Sequence, residues 1–557
     1  MRSKIGKPLP KEAEQTQRWR EHFEETLNRP DPLVFPDIQE ADEILDINTD
    51  PPTLSEVKEA IQKMKSGKAS GLDGVSADML KAEETMTPKL LRDILGNIWI
   101  SEVTPASWTT GLIIKLPKKG DLSDCNNWRG ITLLSITSKI LSRIIHKRLA
   151  DALDKSLRHE QAGFRPGRSC ADHIFTMRQI LEQSQEWNST IYANFIDFQK
   201  AFDSVHRDSL WKILLHYGIP TKLVNVIQMI YRNSSAQVLC DGTLTDIFKV
   251  RTGVKQGCVL SPFLFTLVID WIMRNTIKQN KRGIQWTLTE RLEDLDFADD
   301  IVLLAQRRID MQEKTNDIAN KAKQIGLALN HSKTKHMRMN ANSTEAIHLE
   351  GNIIEEVSEF TYLGAKLTIN GTCDAEISAR ISKASQAFGM LKSTWKAKNI
   401  SLKTKLRLFK SNVLTTLLYG AESWKITKTI SNRLEVFQRK CLRRILRIFW
   451  PNTISNEDLY TQTLTIPITE EIQRRRWRWI GHVLRRPPSA IPKVALRWTP
   501  AGKRSRGRPK ETWRRNVEAE MKKHGLNWSN LEISARDRDK WRSLVGALCA
   551  DQHFKDK

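Results

Sequence analysis

At 557 residues and a formal charge of +25, the chain has length for two to four folded units with large cores. Its seven cysteines are scattered with no CxxC pair, which argues against a disulfide framework. Met1–Gly6 lacks the apolar core of a secretory leader, and the best apolar run, Phe263–Met273, is too short for a bilayer and carries Asp270, so an intracellular protein, nuclear or cytoplasmic and without a membrane partner, is expected.

Residues 1–52 are polar and broken by proline, with a helix expected around Gln17–Leu27 and an acidic linker from Pro30 to Pro52. Thr53-Leu54-Ser55-Glu56 has capping-box spacing and starts a helix running to about Lys65. The Gly-rich stretch Ser66–Val75 is an ordinary connector or a functional loop. Gly111–Leu116 reads as a strand entering a basic turn, and Asn126–Leu134 as its return. Such a tip can fold onto a triphosphate, Arg offering bidentate geometry and Lys a point charge, or it can simply be solvated. Ser138–Leu153 is an amphipathic helix with one basic face. Gln161–Ser169 then sets Arg165 and Arg168 among glycines, which suits phosphate contact.

Ile191–Asp197 reads as a buried strand ending in a carboxylate. Ser261-Pro262 supplies an N-cap followed by proline, opening a helix Phe263–Ile277, and Gln256-Gly257 before it permits close backbone approach. Phe297-Ala298-Asp299-Asp300, between Leu292–Leu295 and Ile301–Leu304, predicts the tip of a hairpin with buried arms, although Asp-Asp also suits any turn. Two strands each delivering an aspartate would set Asp197 beside Asp299. Carboxylates pressed together repel unless cations sit between them, and hard oxygens of this kind suit Mg²⁺, as two-metal phosphoryl or nucleotidyl transfer requires.

After a helix at Met311–Ile325, three basic helical patterns follow at Ile377–Trp395, Leu402–Leu418 and Ile430–Ile448. The charge is concentrated here: residues 1–370 sum to about +1 and 371–557 to about +24, and nine of the 17 tryptophans lie in the latter stretch. Basic charge interleaved with aromatics is the footprint of phosphate contact plus base stacking. A separate-looking region begins beyond Trp450-Pro451, with a helix starting at Arg474 and an extended basic run Lys503–Lys510. His482, His524, Cys441 and Cys549 fit no zinc spacing.

Phe195–Asp203, Gly253–Pro262 and Phe297–Asp300 resemble, in order and spacing, motifs A, B and C of reverse transcriptases, and their wording is most similar to the polymerases of non-LTR (LINE-type, RTE-like) retrotransposons. The resemblance runs over nearly the whole chain. It implies an α+β right-hand polymerase, divided into a polar segment and linker (1–52), an extension to the fingers (53–96), fingers and a palm with an antiparallel sheet (97–368), a helical thumb (369–450) and a basic, mostly helical nucleic-acid-binding region (451–557). It implies an RNA-directed DNA polymerase that extends a DNA primer on an RNA template with deoxynucleoside triphosphates, in target-primed reverse transcription. Under it Asp197, Asp299 and, less directly, Asp300 hold two Mg²⁺, for which Mn²⁺ can substitute, with the Phe198 carbonyl completing the coordination. Lys333, preferred to Lys335, protonates the leaving pyrophosphate.

Arg129 would grip the incoming nucleotide, with Lys115, Lys118 and Lys119 competing as its partner and Lys118 carried forward. Gln256 and Gly257 would meet the nascent base pair. Phe202 would exclude a 2′-hydroxyl, unless it is simply core. Ser66–Val75 resembles the loop that precedes the family's fingers. By the same resemblance Arg165 and Arg168 lie against the template, Arg443 and Arg444 grip the duplex, and Phe360–Gly364 forms the hairpin under the primer terminus. Arg506-Gly507-Arg508-Pro509 resembles an AT-hook, the alternatives being a solvated run or a nuclear-import signal. The family's elements usually carry an endonuclease ahead of the polymerase, and this chain is expected to start too late to include it. The rival readings are an inactive nucleic-acid-binding relic and a maturase-like or RNA-polymerase relative; the oligomeric state is left open.

Overall fold

The computed structural model describes residues 1–118, 120–277, 281–504 and 511–550. Its central sheet runs Glu355–Glu356, Lys335–Met339, Ile191–Ile196, Asp300–Ala305, Asp294–Phe297 in spatial order. All neighbours are antiparallel except the first pair. The strands Ile191–Ile196 and Asp300–Ala305 are apolar at nearly every residue because both faces are covered. Tyr192, Ile196, Ile301 and Leu303 enter one core with the helices Ser261–Ile277 and Arg308–Gln324. Ile191, Ala193, Phe195, Val302 and Leu304 enter a second core behind the helix Cys170–Glu186. This is the antiparallel palm sheet that the resemblance implies, in an α+β fold.

A smaller sheet pairs Trp128–Leu133 with Thr110–Pro117, and that strand in parallel with Ser235–Cys240. The N-terminal helix, Glu12–Leu27, is longer than its apolar pattern predicts and buries Trp19 and Phe23 against this sheet. It sits so close that a Cβ on Gly130 would stand 2.6 Å from the Phe23 ring. The acidic stretch after it is no free linker. Leu45 donates its N–H to the Gly218 carbonyl at 2.8 Å, Trp99 Nε1 donates to the Thr49 carbonyl at 2.9 Å, and Arg148 reaches the carbonyls of Asn48 and Asp50. The segment is a strap across the palm. The capping box at Thr53 and Glu56 forms as predicted and starts the helix Leu54–Gln62. Two residues of the basic face predicted on the helix Ile136–Leu153 are spent on this element: Arg148 pairs with Glu56, and Lys147 with Glu59.

The C-terminal region does not stand apart. The helix Ile468–Leu484 buries Trp477, Trp479, Ile480 and Val483 in the palm's second core. Phe175 lies 4.5 Å and 4.6 Å, ring to ring, from Trp479 and Trp513. Trp479 Nε1 donates to Asp172 at 3.1 Å, and the Trp513 N–H donates to Glu182 at 2.9 Å. Trp395, Trp424, Trp477, Trp479, Trp498, Trp513 and Trp541 are all buried, so for these seven the base-stacking expectation is corrected. Large indoles gain more from a core than from water, and the N–H is paired in all of these but Trp424. The thumb helices Asp374–Met390 and Lys428–Leu446 share a third core with Leu459, Ile468 and Ile472, so the thumb runs past the boundary expected at residue 450. Among the described residues, no helix is long and apolar enough to cross a membrane.

Candidate active site

Sheet register brings the acidic residues together. Ile196 pairs with Ile301, and Asp300 with Phe297 across the hairpin, so Asp197, one residue beyond the strand, emerges beside the turn that carries Asp299 and Asp300. On the other side Phe195 pairs with Lys335. Antiparallel geometry then sets Lys333 next to Asp197, Nζ to Oδ2 at 3.4 Å. Lys335 is drawn off by Glu355 and the Ser332 carbonyl, each at 2.6 Å. Phe198 forms a bridge with Leu329 in which the flanking residues make the hydrogen bonds, Gln199 N–H to Ala328 and Asn330 N–H to Asp197. The Phe198 carbonyl is thereby turned from Leu329 toward the hairpin side.

The carboxylates crowd one another. Burial, followed by the Asp197 charge, raises the Asp299 carboxyl above its ordinary value. Asp300 is pushed up to about 6 by loss of surrounding water and then by Asp299 and Asp197. Asp197 Oδ2 is buried and accepts no hydrogen bond. Carboxylates under mutual repulsion suit a divalent cation. Among the described residues no group of three His, Cys, Asp or Glu is placed to hold a metal ion.

The fingers hairpin supplies the positive side. Arg129 pairs with Leu116, so Lys118, two residues on, projects from the same face as Arg129. The Lys118 ammonium is held below its usual value by burial and then by Arg129 and Lys333, opposed by Asp203 and Asp197. Lys115 is on the opposite face, 4.9 Å over the Trp19 ring, and Lys119 lies outside the described residues. Of the two lysines described, only Lys118 shares the cleft with Arg129.

The loop before Ser261–Ile277 docks on the same strand. The Gln256 carbonyl accepts the Thr132 N–H at 2.7 Å, and Gln256 Nε2 donates to Asp203 Oδ1 at 2.7 Å. Burial raises that Asp203 carboxyl to about 6. Gly257 has φ +128°, and a Cβ there would stand 2.2 Å from the Thr132 carbonyl oxygen. Backbone presses on backbone, so no side chain can swing aside. We expect Gly257→Ala to cost about 2–4 kcal/mol, measured by denaturant unfolding, and to raise the nucleotide KM. Phe202 is half-buried and stacks on Phe265 with ring centroids 4.3 Å apart.

Two supports of the acidic turn escaped the sequence. Ala298 has φ +59°, a left-handed conformation that a non-glycine residue holds only when its surroundings fix it. The fully buried Gln161 provides that brace, its Oε1 accepting the N–H of Ala298 at 3.1 Å and of Gly163 at 2.7 Å. A Cβ on Gly163 would lie 2.3 Å from the Ala298 nitrogen. Beneath, Arg158 clamps Asp294 through two hydrogen bonds of 3.0 and 2.9 Å and also binds Asp296. Burial and then Asp294 push the Asp296 carboxyl well above its ordinary value.

The loop read as template-facing is turned inward. Arg165 is buried and spends its guanidinium on Asp154 Oδ1 and on the carbonyls of Asp154, Arg158 and Gln161; its assignment to nucleic acid is corrected. Arg168 is half-buried, donates to the His159 carbonyl at 2.9 Å and is lowered to about 10 by burial and then by Arg165. Arg443 donates to Asn456 Oδ1 at 2.9 Å, whereas Arg444 is exposed on the thumb. Arg506 and Arg508 lie outside the described residues.

Residues 116–367 match the family model described as reverse transcriptase (RNA-dependent DNA polymerase), and residues 387–419 match a domain of unknown function. A Pol polyprotein from the retrotransposable element R2 of Popillia japonica is 27% identical over 410 residues, covering 72% of this chain and 55% of that protein. A probable RNA-directed DNA polymerase from transposon BS of Drosophila melanogaster is 26% identical over 453 residues, covering 78% and 49%. The chain thus spans about half the length of these two relatives. A telomerase structure from Candida tropicalis is similar at a TM-score of 0.38 and 14% identity, covering 84% of this chain and 72% of that one.

Proposed function

Because residues 116–367 constitute a reverse-transcriptase domain of the kind found in non-LTR retrotransposons, we propose that the chain is an RNA-directed DNA polymerase that extends a DNA primer on an RNA template with deoxynucleoside triphosphates. The observation that carries this reading is the register that sets Asp197 against the Asp299-Asp300 turn, with Lys333 at 3.4 Å. In the proposal Asp197 and Asp299, with the Phe198 carbonyl, hold two Mg²⁺ or Mn²⁺, and Asp300 adds charge beside them. When bound, such a pair lowers the pKa of the primer 3′-hydroxyl and neutralises charge on the triphosphate and its leaving group.

The chain's own residues do the rest. Arg129 and Lys118 orient the triphosphate from the fingers. Lys333 gives its proton to the departing pyrophosphate, a role supported by its ion pair with Asp197. Gln256, fixed by Asp203, lies under the nascent pair, and Phe202 excludes a 2′-hydroxyl. The retrotransposon origin of the relatives supports priming at a nicked target as the setting, inside the cell. A labelled DNA primer on an RNA template, supplied with deoxy- or ribonucleotides and Mg²⁺ or Mn²⁺, tests the reading. Extension with deoxynucleotides alone is expected; none under any of these conditions overturns it.

A further inference from the structure

Trp450 breaks the pattern of the C-terminal third. Seven of the other eight tryptophans there are buried and Trp528 is half-buried, yet Trp450 is 88% exposed, and Phe449 beside it 60%. The two rings close one end of an open groove of about 470 Å³, whose other walls include Val436, Arg439, Lys440, Arg443 and Arg444 and no acid. Val436, Lys440 and Arg444 also line a second groove of about 630 Å³ along the same helix. They recur at every fourth residue, a track about 12 Å long. Arg439 is occupied by Glu435 and Arg443 by Asn456, but Lys440 and Arg444 make no ion pair among the described residues.

Exposed aromatic faces rimmed by charge mark a contact surface. An acidic peptide would answer the cations but leave the rings in water. A strand with phosphates and unstacked bases answers both. A duplex does not, since its bases have no free face except at the ends. We propose that this groove binds an unpaired stretch of the RNA template, its bases stacking on Trp450 and Phe449 and its phosphates meeting Lys440 and Arg444. The identity of the strand rests on the polymerase reading, in which the template is the long strand left unpaired outside the cleft.

Fluorescence anisotropy on the full chain tests this with three RNA–DNA hybrids: blunt, with a single-stranded tail on the RNA strand, and with a tail on the DNA strand. Trp450→Ala should weaken binding of the RNA-tailed hybrid about tenfold and change the other two less than about twofold. Trp450→Phe should restore most of the loss. Trp450 is exposed, so an unchanged melting temperature is expected and checks the fold. No loss with Trp450→Ala, or an equal loss on the blunt or DNA-tailed hybrid, overturns the proposal. Binding is read here without catalysis. A chain that holds the RNA tail through Trp450 but extends no primer therefore sinks the polymerase reading alone, and an active polymerase indifferent to Trp450→Ala sinks this one alone.

Discussion

Asp299→Asn should lower primer extension on the order of 10³-fold, because losing a carboxylate from a metal pair forfeits several kcal/mol of transition-state stabilisation. Binding of primed RNA should change less than about threefold, since the surfaces that hold it are elsewhere. The fold should not suffer, and this separates a chemical defect from a structural one. Burial and Asp197 raise the Asp299 carboxyl above its unfolded value. A carboxyl raised in the folded state is a cost at neutral pH that fades as pH falls through the folded pKa. A neutral amide removes that cost, so at pH 7 the variant should melt at the same temperature as the parent or higher. The difference should close once pH drops below the ordinary carboxylate range. Steady-state extension, anisotropy and melting at two pH values check the three parts. Near-normal extension would refute the metal assignment, and a lowered melting temperature at pH 7 would refute the electrostatic one.

What the sequence disclosed and what it withheld divide along a physical line. The acidic turn, the strand ending in Asp197 and the Ser261-Pro262 helix start were legible because each is a local pattern: apolar runs, a turn dipeptide, a cap. Lys333 beside Asp197 follows from the pairing of Phe195 with Lys335, which no local pattern specifies. Gln161 bracing Ala298 was invisible for the same reason, since a buried glutamine and an exposed one read alike in the chain. Arg165 misled because arginine among glycines suits a phosphate and a buried carbonyl cage equally well. The C-terminal tryptophans misled for a different reason. Their arginines do reach solvent or acids such as Glu520 and Asp172, while their rings fill the cores of the palm and the thumb. Interleaving of charge and indole along a helix records amphipathicity as readily as it records a ligand. Where the helix runs out, at Phe449 and Trp450, aromatic and basic side chains both face water.

Phe202→Val should change what the enzyme incorporates more than how fast it works. The ring is clamped from one side by Phe265, centroids 4.3 Å apart and 22° from parallel, and its carbonyl accepts the Val254 N–H at 2.8 Å. Backbone and ring are therefore both fixed, and the half-buried remainder of the ring is a rigid wall. Five residues before it in the sequence stands Asp197, which places that wall under the sugar if the carboxylates hold the triphosphate's ions. A rigid wall rejects an added hydroxyl by overlap, more sharply than a soft pocket can. Valine keeps an apolar contact against Phe265 but withdraws the outer ring atoms. The ratio of kcat/KM for ribo- over deoxynucleotides should rise on the order of 10²-fold, with deoxynucleotide incorporation falling less than about tenfold. The lost stacking should cost about 1–3 kcal/mol of stability, so the comparison belongs below the variant's melting range. Single-nucleotide incorporation on an RNA template, with matched deoxy and ribo substrates, gives the ratio directly. An unchanged ratio with stability lowered by that amount would assign Phe202 to the core alone. A selective gain for ribonucleotides has no explanation in packing, because a cavity behind the ring cannot tell one sugar from the other.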